Sequence, residues 1–162
     1  MITPSRVRSW GLSAGLLLSG LVLTHCAHDI YQERADLVKD HSEAFYNHLK
    51  ADRVEQAIRE NERIEAMASD MGRKVQSGGA QGGTVAVGQE FALMKTANEA
   101  AATNWLSLGH YFAVKKEYAR ARATYQRVLN TYTNPTDRPA QEQAARALQD
   151  IDILDPPAAK NP

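Results

Sequence analysis

The chain has 162 residues, enough for one domain and a short leader, with 19 basic and 19 acidic side chains. That neutral balance provides no basic stripe of the kind nucleic-acid binding needs, and the single cysteine, Cys26, has no partner for an internal disulfide. Ala, Glu, Gln, Arg and Leu are plentiful and strand signals almost absent, so the body reads as all-α.

The leader comes first. Arg6 and Arg8 precede an uncharged apolar run from Trp10 to Thr24, the layout of a secretory signal peptide. As a helix, Trp10 to Cys26 would reach about 25 Å, short of the roughly 30 Å hydrocarbon core, so an uncleaved span is the weaker reading. Removing the two arginines leaves 17 basic against 19 acidic residues, a slightly acidic mature part. The run ends in Leu23-Thr24-His25-Cys26, which resembles the lipobox of bacterial lipoproteins, with His25 in a place that family fills with Gly, Ala or Ser. The resemblance implies that residues 1–25 are removed before Cys26 and that Cys26 is acylated and membrane-anchored. Ala27 stands where an Asp would retain a lipoprotein in the inner membrane, so the resemblance points to the outer membrane, facing the periplasm. Ordinary cleavage after Cys26 or Ala27 is the competing possibility.

Residues 26–76 read as an N-terminal helical segment. Asp29 and Gln32 fit a capping box that would start a helix there. Val38, His41, Phe45, His48 and Leu49 share one face, and Val54, Ala57, Ile58, Ile64, Met67, Met71 and Val75 continue the spacing beyond a polar break at Ala51-Asp52-Arg53. The segment is either a hairpin turning at 51–53 or one helix from Asp29 to Val75. Glu55 with Arg59 and Glu60 with Arg63 have the spacing of helix-surface pairs.

Residues 77–88, Ser-Gly-Gly-Ala-Gln-Gly-Gly-Thr-Val-Ala-Val-Gly, predict a flexible glycine-rich linker. A phosphate-binding loop would need a preceding strand and a closing Gly-Lys-Ser/Thr, and both are missing.

Residues 89–155 carry the clearest pattern. Trp105, Leu108, Gly109 and Phe112 lie on one face of a helix; Tyr118, Ala121, Tyr125, Val128 and Leu129 lie on one face of another, and Lys115-Lys116-Glu117 separates them. Gly109 and Ala121 are small where two crossing helix backbones would approach. From Ala102 to Pro135 this spacing resembles a tetratricopeptide repeat, a helix-turn-helix unit of about 34 residues. The resemblance implies TPR-like antiparallel hairpins; the first segment, aligned by Val54 and Ala57 on Tyr118 and Ala121, is at best a degenerate repeat, with an unrelated long hairpin or one continuous helix as the alternatives. Phe91, Met94, Ala97 and Ala101 extend the first helix of the repeat backward. Pro135 and Pro139 end one helix and open another, whose thin stripe of Ala144, Leu148 and Ile151 predicts a C-terminal capping helix. Residues 156–162 predict a disordered tail.

No Ser, Cys or Asp stands in a nucleophile motif, so the sequence supports no catalysis, and no cofactor is expected. His41 and His48, two turns apart with Asp52 one turn further, carry the alternative of a small metal-binding protein or enzyme, although metal ligands normally cluster more tightly. Tetratricopeptide proteins use the surface formed by the first helix of each repeat, and here that implies Thr103, Leu106, His110 and Ala113, with Asn134 near the rim, as partner-binding residues. The expectation is a non-enzymatic adaptor or assembly factor of the envelope that binds a protein or peptide. A soluble periplasmic peptide-binding helper is the runner-up. A lone repeat cannot usually bury its own faces, so packing by the other helices, self-association or incorporation into a larger envelope complex is expected.

Overall fold

In the computed structural model, which describes residues 19–78 and 84–156, the chain forms five α-helices: α1 (Ser19–Lys50), α2 (Val54–Gly78), α3 (Thr84–Val114), α4 (Tyr118–Thr131) and α5 (Arg138–Leu154). A 3-10 turn, Pro135–Asp137, leads into α5. No strand occurs among the described residues. The expected leader lies largely outside them, as do residues 157–162 of the expected tail. From Ser19 to Ile30, Cys26 included, only the helical backbone is described.

Residues 29–75 form a hairpin, not one long helix. The turn at Ala51-Asp52-Arg53 and the turn at Lys115-Lys116-Glu117 have the same construction. The Arg53 N–H donates to His48 O at 2.9 Å and the Asp52 N–H to Leu49 O at 3.1 Å; in the second turn Glu117 donates to Phe112 O at 2.9 Å and Lys116 to Ala113 O at 3.0 Å. Asp52 and Lys116 take the left-handed conformation, with φ of 59° and 61°. This is the Schellman arrangement, which satisfies the last carbonyls of a helix and reverses the chain. The match holds at the expected alignment of the two hairpins and extends into the packing, since Ala57 and Ala121 are both 0% exposed.

The hairpins stack so that α2 packs against both α1 and α3, α4 packs against α3 and α5, and α3 lies between α1 and α5, touching both, while α1 and α5 do not meet among the described residues. Contacts run in the same order along α1 and α3: Tyr31 with Ala86, Arg34 with Glu90, Tyr46 with Ser107. These two helices are therefore parallel, with their C-terminal ends side by side at the turns.

The core is continuous. Phe45, Ile64, Leu108, Phe112, Val128 and Ile151 are buried in one cluster with the alanines of α3, each large side chain contributing roughly 1.5–3 kcal/mol. A polar seam crosses it between α2 and α3. Asn61 donates to Ala101 O at 3.1 Å, and Asn104 donates to Asn61 Oδ1 at 2.9 Å. A buried amide without partners would cost several kcal/mol, so this pairing also sets the register of the two helices.

Several expectations change. Asp29 does not start a helix, because α1 already runs through it from Ser19, and Gln32 donates forward to Asp36 at 3.1 Å instead of reaching back. The linker expected over 77–88 is helical at both ends: Ser77 and Gly78 close α2, and Thr84 to Gly88 open α3. Thr84-Val-Ala-Val87 contains no glycine, Ala86 O accepts from Tyr31 Oη at 3.4 Å, and a single Gly88 costs a helix only about 1 kcal/mol. Residues 79–83 lie outside the described set. Gly109 is small not for a crossing backbone but for the Tyr125 ring, as a Cβ at Gly109 would lie 2.5 Å from that ring. Of the two surface pairs, Glu60–Arg63 forms at 2.7 Å, while Glu55–Arg59 is not among the ion pairs of the described residues. The stripe expected on α5 is present, with Ala144 and Ile151 buried and Leu148 half-buried.

Candidate functional site

Because α1 and α3 are parallel and each ends in the same turn, their last two turns enclose an open groove of about 410 Å³. Tyr46 and Leu49 of α1 form one wall; Ser107, His110, Tyr111 and Val114 of α3, at helical steps of three and four, form the other. Most of the lining is apolar, and Val114 is 69% exposed, an unusual state for a valine beside a hydrophobic core. Tyr46 Oη and Ser107 Oγ, 3.1 Å apart, join the walls.

Lys50 and Lys115 stand at the rim. The Asp52 carboxylate crosses from the first turn to accept hydrogen bonds from Tyr111 Oη and, at 2.5 Å, from Lys115 Nζ. The Lys115 ammonium also lies 4.8 Å from the centre of the Tyr111 ring. Hydrogen bonding to Asp52 and then to Tyr111 pushes the Lys115 pKa up to about 12. The same bonds, Lys115 first, hold the Asp52 carboxyl below its usual range. Asp52 thus ties the first turn to the end of α3.

Of the five expected partner-binding residues, His110 lines this groove. Leu106 and Ala113 are half-buried against the core and do not line this groove. Thr103 is exposed, and its hydroxyl donates to Glu99 O at 2.8 Å. Asn134 lies beyond the end of α4, where its backbone N–H and side-chain amide both donate to Asp137 at 3.2 and 3.3 Å. It caps the turn into α5. Sequence reasoning missed Tyr46, Leu49, Tyr111 and Val114, although Ser107, His110, Tyr111 and Val114 form a second stripe on α3 beside the core stripe.

A second groove, of about 530 Å³, opens between α1 and α2 beside Leu37, His41, Met67 and Met71. His41 Nδ1 is 2.7 Å from Glu60 Oε2, and Glu60 also accepts from Arg63. Burial would raise the Glu60 pKa, but the His41 hydrogen bond and the Arg63 charge outweigh it and hold the carboxyl low. His48 Nδ1 is buried with no hydrogen-bond partner among the described residues. Among those residues no three or more His, Cys, Asp or Glu side chains converge on a possible metal position.

A third cluster fastens the two hairpins together. Glu65 on α2 accepts from Trp105 Nε1 at 2.8 Å, from Tyr132 Oη at 2.7 Å and from Arg127 at 2.8 Å. The Arg127 guanidinium lies 4.0 Å from the Trp105 ring. Burial, and next the hydrogen bond to Glu65, raise the Tyr132 pKa far above its ordinary value. These groups satisfy one another, which makes the cluster a structural clamp. No known protein family matches the chain, and no similar curated protein or solved structure is found.

Proposed function

We propose that this chain is a non-enzymatic, TPR-like protein-binding adaptor or assembly factor, held at a bacterial envelope membrane by lipid on Cys26, with the α1–α3 groove as its docking surface. One observation carries the binding part. Two hairpins that turn in the same way lay parallel first helices side by side, and the resulting groove sets the 69% exposed Val114 beside partly buried Tyr46, Leu49 and Tyr111. The stacking of α1, α3 and α5 in one layer with α2 and α4 behind is the arrangement a tetratricopeptide reading requires. The lipid part rests on the sequence Leu23-Thr24-His25-Cys26 and on the apolar run before it. No helix among the described residues is long and apolar enough to cross a membrane.

The test is a pull-down from solubilised envelopes with the tagged full chain, beside a Val114→Asp variant that places a charge in the groove. A stoichiometric protein recovered with the wild type and lost with the variant is the expected result. Equal recovery with both would move the docking surface elsewhere. Mass spectrometry of the mature protein should find acyl chains on an N-terminal Cys26; an unmodified Cys26 removes the anchor from the proposal.

A further inference from the structure

The α1–α3 groove is apolar inside, and exposed cations lie at the same end of the bundle. Lys50 and Lys115 stand on its rim, and the two turns add Arg53 and Lys116 at the same end of the bundle. The acidic groups of these turns are already engaged, Asp52 by Lys115 at 2.5 Å and Glu117 by Arg120 at 2.7 Å. Lys50, Arg53 and Lys116 are exposed and have no ion-pair partner among the described residues. Glu55, the nearest other carboxylate in sequence, is the second residue of α2 and does not line the groove.

From these observations we infer that the occupant of the groove is a protein segment in which apolar side chains are flanked by carboxylates. An apolar side chain would lie between Tyr46, Leu49 and Val114, while flanking Asp or Glu side chains meet Lys50 and Lys116. Charge complementarity of this kind raises the encounter rate and selects against basic partners. An anionic lipid surface offers the same charge, but the geometry disfavours it. From Cys26 to Lys50 the α1 helix spans about 36 Å, so an anchor at Cys26 leaves the groove at the far end of the helix from the membrane. The inference rests on the adaptor reading and adds the chemistry of the partner.

The experiment uses the purified full chain in neutral detergent and two fluorescein-labelled peptides, Glu-Asp-Leu-Phe-Glu-Asp and its counterpart Lys-Lys-Leu-Phe-Lys-Lys. Fluorescence anisotropy should show the acidic peptide binding about tenfold tighter or more, with the preference shrinking as salt rises. Lys50→Glu with Lys116→Glu, at exposed positions where the fold is not engaged, should abolish that preference, and circular dichroism checks that the variant is folded. Equal binding of the two peptides, or a preference unchanged in the double variant, overturns the inference. Displacement of the acidic peptide by phosphatidylglycerol added to the micelles overturns it in favour of a lipid headgroup. A photocrosslinker at position 110 in intact cells separates the two levels. Capture of a protein through a segment without carboxylates sinks the inference and leaves the adaptor standing, whereas no capture and no peptide binding sink both.

Discussion

Gly109 and Tyr125 fit together face to ring: a Cβ on Gly109 would come within 2.5 Å of the Tyr125 ring, which is itself 4% exposed. At the corresponding place in the first hairpin the sizes are exchanged. Phe45 stands where Gly109 does and Asn61 where Tyr125 does, and both are 0% exposed. Unlike Tyr125, which meets Gly109 of its own hairpin, Asn61 turns its amide to α3 of the other hairpin, where it bonds Ala101 and Asn104. Internal likeness at the turns is therefore hidden at these positions when the sequence is compared with itself.

Gly109→Ala should destabilise the fold by about 1–2 kcal/mol in urea unfolding. The gain in helix propensity, about 1 kcal/mol, is smaller than the cost of displacing a buried ring. In a Tyr125→Ala background the same change should be neutral or stabilising. A double-mutant cycle without coupling would show that the ring is not what keeps position 109 small.

Glu65→Ala should cost about 2–4 kcal/mol, because it strips the acceptor from Trp105 Nε1 and Tyr132 Oη of two buried residues at once. Glu65→Gln keeps the shape and one acceptor oxygen, so it should cost less. The emission of Trp105, whose indole bonds directly to Glu65, should shift in both variants; an unchanged spectrum together with unchanged stability would contradict the clamp.

Alkaline pH should weaken the protein through Tyr132. Its pKa in the folded state is raised above the ordinary value of 10.0 by burial and by Glu65, so the unfolded chain loses the proton first. Stability from this group is complete below pH 10 and declines as pH rises beyond it. Tyr132→Phe should be less stable near neutrality, having lost a hydrogen bond, yet show a flatter decline above pH 10. Parallel pH profiles of the two proteins would argue against this assignment.

Acid should act through Glu60. His41 and Arg63 hold its folded pKa below the ordinary 4.5, against the opposing effect of burial. Its contribution is therefore present above about pH 4.5 and is lost as pH falls through the lower folded value. Glu60→Gln should reduce stability near neutrality and shrink the acid-side slope, read from thermal unfolding at a series of pH values.

The turn residues give opposite expectations for the same substitution. Lys116 has φ of 61° and makes no ion pair among the described residues, so Lys116→Gly should stabilise by up to about 1 kcal/mol. Asp52 has φ of 59° but also holds Tyr111 and Lys115, so Asp52→Gly should gain nothing or destabilise. Chemical denaturation of both variants checks the contrast.

Helical periodicity was enough to place most of the core. The stripes Trp105–Leu108–Phe112 and Ala121–Tyr125–Val128 are buried as their spacing requires, and both interhelical turns fall at the polar breaks, since burying one face of a helix is a local property of its pattern. Neither turn contains the glycine that usually marks a left-handed helix end, which is why hairpin and single long helix could not be separated for 29–75 from residues alone. Only packing in three dimensions decided the rest. Asn61 meets Asn104 and Glu65 meets Trp105 across roughly forty positions of chain, a pairing no local pattern encodes. The groove likewise exists because α1 and α3 lie parallel, which sets Ser107, His110, Tyr111 and Val114 of α3 opposite Tyr46 and Leu49 of α1 and leaves Leu106 and Ala113 outside the groove. Burial on one face follows from the order of side chains along a helix, but what faces a solvent groove depends on which other helix lies beside it.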